Sequence, residues 1–233
     1  MVGYRAPIAQ LDRALASEAG GGSSSLPRGT ILQARYNNVH MEVDLVSKSG
    51  LIEIRWHGRG GQGAVTSAEL LAKAAIDEGK FAQAFPAFGP ERRGAPVVAF
   101  DRIDSEKPIR LRAEIREPDV VIVLDPTLLS VVKVTAGLKP GGILIINTRK
   151  DFAAIEQEFG KDWKLALVDA NTIAREILGV TIVNTTMLGA LLKAMPVVNM
   201  ESLVEPIKER FDRIAEKNIN VVKRAFAETK VKE

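Results

Sequence analysis

The segment Leu51-Ile52-Glu53-Ile54-Arg55-Trp56-His57-Gly58-Arg59-Gly60-Gly61-Gln62-Gly63-Ala64-Val65 decides the fold of this chain. Its first part alternates, with Ile52, Ile54 and Trp56 on one face, which predicts a strand over 51–56. A glycine-rich turn follows. Then Ala64, Val65, Ala68, Leu71, Ala72, Ala75 and Ile76 recur at 3.6-residue spacing and predict a helix over 62–78, with Gly79 at its C-terminal cap. Strand, tight turn and helix in that order begin a parallel sheet covered by helices.

The remaining residues continue the alternation. Strands are expected over 81–85, 96–103, 120–124, 143–146 and 164–168, with 109–112 as a partner for 96–103. The runs 120–124 and 143–146 are wholly apolar, as central strands buried on both faces require. Helices are expected over 126–134, 150–159, 170–178, 185–194 and, near the C-terminus, about 200–215 and 219–229. The expected fold class is therefore α/β: a Rossmann-like, open, mostly parallel sheet with helices on both faces and C-terminal helices, spanning 51–233. Residues 1–50 read as a leader apart from it. Gly20-Gly21-Gly22-Ser23-Ser24-Ser25 is a flexible tract, and no apolar core of a signal peptide follows Arg5. The leader is either a disordered extension or the product of a start upstream of a true one at Met41, and no function is assigned to it.

Of the 233 residues, 46% are hydrophobic, but no apolar run approaches the roughly 18–20 residues of a membrane span, so no membrane partner is expected. Net charge is +3 and aromatics make up 5%, too little of either to argue for nucleic acid. There is no cysteine and there are two histidines. That composition removes disulfides, thiol catalysis, cysteine-bound zinc and every cysteine-ligated iron–sulfur cluster.

Gly58, Gly60 and Gly63 satisfy G-x-G-x-x-G between a strand and a helix. Glycines there allow close backbone approach, and helix N-terminal amides attract phosphate. Two readings stand at this point: a phosphate- or pyrophosphate-bearing ligand, or tight packing within the fold or against another subunit. A nicotinamide or flavin dinucleotide needs a carboxylate about 20 residues on. That region reads Phe81-Ala82-Gln83-Ala84-Phe85-Pro86 and has none, so a free-standing NAD(P) dehydrogenase fits worst. The following loop, 85–96, is stiffened by three prolines and carries the adjacent pair Arg92-Arg93. Those arginines suit bidentate phosphate or carboxylate binding, or are an ordinary solvated pair. Asp125, Asn147-Thr148 and Asp169 end successive strands, and Asn184-Thr185-Thr186 precedes a helix. Each is either a ligand contact or a helix N-cap. His57 adjoins the turn, as a ligand contact or a structural hydrogen-bonding group. No nucleophile triad, metalloprotease motif, Walker lysine or paired carboxylate is visible.

The residues 53–65, then Gln83-Ala84-Phe85-Pro86, then Gly89-Pro90-Glu91-Arg92-Arg93-Gly94-Ala95-Pro96 closely resemble the gamma subunit of 2-oxoacid:ferredoxin oxidoreductases, above all the pyruvate enzyme. The stretches 120–125, Asn147-Thr148 and 184–190 continue the resemblance, which covers about 51 to the C-terminus. It implies a subunit, not catalytic alone, of a cytoplasmic complex that oxidatively decarboxylates a 2-oxoacid to an acyl-CoA and passes electrons to ferredoxin. Alpha, beta and delta subunits are the implied partners, with thiamine diphosphate and the [4Fe–4S] clusters on subunits other than this one. It also implies a place on the coenzyme A side of the active centre. Gly58, Gly60, Gly61, Gln62 and Gly63 are then expected at the CoA pyrophosphate, with Arg92 or Arg93 supplying charge. A branched-chain 2-oxoacid enzyme and a purely architectural subunit are the alternatives.

Overall fold

The computed structural model describes residues 50–87 and 94–232. Their centre is a seven-stranded sheet in the order β2-β3-β1-β4-β5-β6-β7. The strands are β1 (Leu51–Arg59), β2 (Phe81–Pro86), β3 (Pro96–Asp104), β4 (Val120–Val123), β5 (Ile143–Asn147), β6 (Lys164–Val168) and β7 (Lys230–Lys232). β1, β4, β5 and β6 pair in parallel, while β3 is antiparallel to both β1 and β2, and β7 is antiparallel to β6. The expected α/β class stands; the sheet is mixed, with three of its six strand pairings antiparallel, and one crossover differs from expectation. The crossover from β1 through α1 (Ala64–Asp77) does not deliver β2 beside β1, because β3 is inserted between them.

The two faces of the sheet are covered unequally. One face of β1, through Ile54 and Trp56, joins Val120, Ile122, Ile143, Ile145, Ala166 and Val168 in the larger core. This face is covered by α1, α3 (Ala170–Leu178), α4 (Asn184–Ala194), α5 (Val204–Phe211) and α6 (Ala215–Glu228). The other face has α2 (Phe152–Phe159), which buries Ile155 against Val121, Val123, Leu144 and Ile146, and otherwise irregular chain. β4 and β5 carry apolar residues on both faces because both are packed, whereas β1 presents Glu53, Arg55, His57 and Arg59 to the second face. Arg55 is 8% exposed and answers that burial by donating from Nη2 to the carbonyls of Val134 (2.9 Å) and Ala136 (2.6 Å).

Three expected elements differ. Residues 109–112 form no strand; Gln83 Nε2 and Arg102 Nη1 donate to the carbonyls of Ile109 and Leu111, and side chains thus take the place of a ladder. The helix expected over 126–134 is a single 3-10 turn, Pro126–Ser130. The helix expected over 200–215 is broken: a 3-10 turn (Met200–Leu203) leads into α5, and Asp212 at φ +42° stops it before α6. β7 is an addition too short for a periodic signal. Among the described residues no helix is long and apolar enough to cross a membrane. The leader lies outside the described residues, apart from its last one.

Candidate functional site at the glycine turn

The glycine motif divides into two parts. Gly58 lies inside β1, opposite Val97 of β3. Gly60 extends that pairing: its N–H donates to the carbonyl of Ala95 (2.9 Å), and Gly94 N–H donates back to the Gly60 carbonyl (3.3 Å). The turn proper is therefore Gly60–Gly63, closed by Gln62 N–H donating to the Arg59 carbonyl at 3.0 Å. Gly61 (φ +94°) and Gly63 (φ +84°) are left-handed, and Gln62 between them is not. The Gly60 and Gln62 amides are already used within the fold, by Ala95 and Arg59, which leaves those of the two left-handed glycines to interact with an anion. A Cβ on Gly61 would meet nothing within 4 Å among the described residues. A Cβ on Gly63 would lie 2.8 Å from Asn184 Nδ2, so there the glycine also admits the first residue of α4.

In a dinucleotide fold the third glycine packs helix against strand. Here Gly63 is the N-cap of α1, and the helix starts only after the motif is complete. No side-chain cap bond forms there among the described residues. α4 likewise starts without a side-chain cap from Val183, and it abuts α1: Ser67 Oγ donates to the Asn184 carbonyl at 3.2 Å. Two helix N-termini and their partial positive charge thus converge at the C-terminal end of the parallel strands.

Side chains brace the turn. Gln62 folds across it, accepting from Arg59 N–H at Oε1 (2.7 Å) and donating to Asp125 Oδ2 from Nε2 (2.7 Å). Arg59 Nε is 3.2 Å from the same Oδ2; Nη2 donates to Thr127 Oγ1 (2.8 Å) and Nη1 to the Gly94 carbonyl (3.1 Å). Asp125 also caps the turn after β4, accepting at Oδ1 from Thr127 N–H and Oγ1. Burial pushes the Asp125 carboxyl up, but the bonds from Thr127 and Gln62 and the Arg59 charge outweigh it and hold the group below the usual carboxylate range. The lip of the turn is thus a paired cation and anion on a rigid brace.

The strand-end residues resolve in several ways. Asp125 and Asp169 are caps, the latter accepting from Thr172 N–H at 3.1 Å while Arg149 Nε donates to its Oδ2. Asn147 is 1% exposed; Nδ2 donates to the Leu124 carbonyl (2.8 Å), and Oδ1 has no partner among the described residues. Thr186 Oγ1 is also buried without one, whereas Thr185 Oγ1 donates to Asn218. His57 is structural. It is 4% exposed, accepts from Arg55 Nε at 3.0 Å, and is pushed down to about 3 by burial and the Arg55 charge. Gly60, Gly61, Gln62 and Gly63 form the turn, Gly58 stays in β1 as a ladder residue rather than part of the turn, and Arg92 and Arg93 lie outside the described residues. The bonds that Gly60 accepts from Gly94 and donates to Ala95 bring the end of their loop against the turn. Arg59 fills a variable position of the motif and is not singled out by it, although the polar file Glu53, Arg55, His57 and Arg59 on one face of β1 sets it apart.

A model of the family described as pyruvate ferredoxin/flavodoxin oxidoreductase matches residues 53–228. Over 185 residues the chain is 58% identical to the pyruvate/ketoisovalerate oxidoreductases common subunit gamma of Thermococcus kodakarensis, covering 78% of this chain and 100% of that one. It is 51% identical over 179 residues to the pyruvate synthase subunit PorC of Methanothermobacter thermautotrophicus, covering 76% and 96%. The crystal structure of the pyruvate oxidoreductase subunit PORC of Thermotoga maritima superposes with a TM-score of 0.71 at 40% identity, over 79% of this chain and 99% of that one. The same fold recurs, at 20% identity and a TM-score of 0.63, within 31% of the chain of a 2-oxoglutarate:ferredoxin oxidoreductase from Magnetococcus marinus. The chain belongs to the pyruvate ferredoxin/flavodoxin oxidoreductase family, as the gamma subunit of a 2-oxoacid:ferredoxin oxidoreductase complex.

Proposed function

We propose that this subunit serves an enzyme converting pyruvate, CoA and oxidised ferredoxin to acetyl-CoA, carbon dioxide and reduced ferredoxin, and that its turn Gly60–Gly63 receives the CoA phosphates. Alpha, beta and delta subunits complete the complex, in the cytoplasm, and carry the thiamine diphosphate and [4Fe–4S] clusters. This chain's part is binding and assembly. The observation that carries the CoA role is the open concave turn: left-handed Gly61 and Gly63 alternate around Gln62 at the uncapped N-terminus of α1. Oriented amides and a helix dipole hold a phosphate without a dedicated lysine. Gln62 and Asp125 fix the turn and leave Arg59 in place to share its charge with an arriving anion. Arg92 and Arg93 are assigned the remaining phosphate charge.

A second reading has specific support. The Thermococcus relative is named for both pyruvate and ketoisovalerate oxidoreductases, which favours a gamma subunit that serves a branched-chain enzyme as well. Steady-state kinetics of the purified complex with pyruvate and with 2-ketoisovalerate tests it. Activity on pyruvate alone, in preparations containing every partner complex of this chain, would restrict it to one enzyme. For the CoA role, Arg92→Ala/Arg93→Ala in the intact complex is expected to raise the apparent KM for CoA and leave that for pyruvate in place. An unchanged KM for CoA would remove the two arginines from the assignment.

A further inference from the structure

Residues 105–119 join β3 to β4 with no helix or strand of their own, a length at which irregular connections usually carry a function. The connection is held from beneath by buried groups. Arg102, 1% exposed and bonded through Nε to Glu53 (2.8 Å), donates from Nη1 to the Leu111 carbonyl (3.3 Å). Gln83 Nε2 donates to the Ile109 carbonyl (2.9 Å). Asp104 Oδ1 accepts from the backbone of Glu106 and Lys107, and Ile115 is buried at the far end. The backbone is thus fixed, while Lys107, Arg110, Leu111 and Arg112 are exposed on it.

The backbone of Lys107 and Leu111 is used in this way, but the four side chains are not. None of the three cations is in an ion pair or a side-chain hydrogen bond among the described residues, in contrast to Lys73, Lys139, Arg149, Lys150 and Arg224. Between Lys107 and Arg112 there is no acidic residue, although Glu106 and Glu114 flank the stretch. Leu111 is 55% exposed between two arginines. Arginine around an apolar anchor is a composition of protein interfaces, and like charges held this close gain most from an acidic opposing surface.

We propose that residues 107–112 form a docking strip for another protein subunit of the complex, one presenting an acidic face with an apolar socket for Leu111. A protein is favoured over nucleic acid because the strip has no aromatic residue to stack a base and the whole chain carries a net charge of only +3. The strip stands apart from the CoA reading, so either holds if the other fails.

The test uses the native complex and the free full-length chain, with lysine acetylation and zero-length carbodiimide cross-linking read by mass spectrometry. Lys107 is expected to be at least about tenfold slower to acetylate in the complex, and to cross-link to a carboxylate of a partner subunit. Equal reactivity in both states would overturn the proposal. In parallel, Arg110→Glu/Arg112→Glu is expected to reduce co-purification with the partner subunits, while Arg110→Lys/Arg112→Lys retains it and both free variants keep the wild-type Tm. Undiminished assembly of the charge-reversed chain would overturn it, as would a defect confined to binding an RNA oligonucleotide.

Discussion

Gly61 and Gly63 share a left-handed backbone but differ in what surrounds them. Gly61→Ala is strained only through its φ, a cost of about 1 kcal/mol. Gly63→Ala adds a 2.8 Å approach to Asn184 and is expected to cost about 2 kcal/mol or more. Denaturant unfolding of the two variants checks the order; equal losses would contradict the packing of Gly63 on α4. Two buried titratable groups act in opposite senses. His57 is depressed to about 3 by burial and by Arg55, so below an unfolded value of about 6.5 the unfolded chain binds the extra proton and stability falls with falling pH. His57→Gln is expected to remove that part of the acid sensitivity. Asp101 is fully buried, with Trp56 Nε1 donating to Oδ2 at 2.6 Å and Oδ1 without a partner among the described residues. Burial raises its carboxyl well above the ordinary value against the opposing Trp56 bond, so its contribution is complete below about pH 3.9 and is lost as pH rises through the folded value. Asp101→Asn is expected to flatten that decline. The same pH slope in wild type and variant, measured by unfolding midpoint, would contradict a protonated Asp101.

Elements with a strong period were legible in the sequence, and those decided by tertiary contacts were not. The strand over Leu51, the helix after the glycines and the apolar strands β4, β5 and β6 declare themselves through alternation or continuous burial. The 109–112 segment has a strand-like composition, yet its carbonyls are taken by Arg102 and Gln83, and no local pattern reports that. Insertion of β3 between β1 and β2 is equally invisible locally, and it removes the position a second parallel strand would hold beside the turn. One contact between elements was hidden in a single residue: a Cβ on Gly189 of α4 would lie 2.2 Å from the Val222 carbonyl and 2.9 Å from Ala225 Cβ, both on α6. Gly189→Ala must push these helices apart and is expected to cost about 1–3 kcal/mol. An unaltered Tm would show that the pair tolerates a wider spacing.

At the scale of the molecule, the helices crowd one face of the sheet, and the other is closed on the β1–β3 side by side chains reaching irregular backbone. A subunit built this way leaves a fixed, outward-facing polar chain for contact with others, while the glycine turn opens at the C-terminal edge of the parallel strands. The candidate site was legible as a motif and as a neighbour of the 85–96 loop. Its brace was not, because Arg59, Gln62, Asp125 and Thr127 meet only when β1 and β4 pair. Whether the turn receives CoA phosphates is tested most directly at Gly61, by charge alone. Its Cβ position is open, and aspartate and asparagine both tolerate a left-handed backbone. In the assembled complex, Gly61→Asp is expected to raise the apparent KM for CoA roughly tenfold above Gly61→Asn, with the KM for pyruvate the same in both. Equal KM values for CoA in the two variants would contradict phosphate binding at the turn.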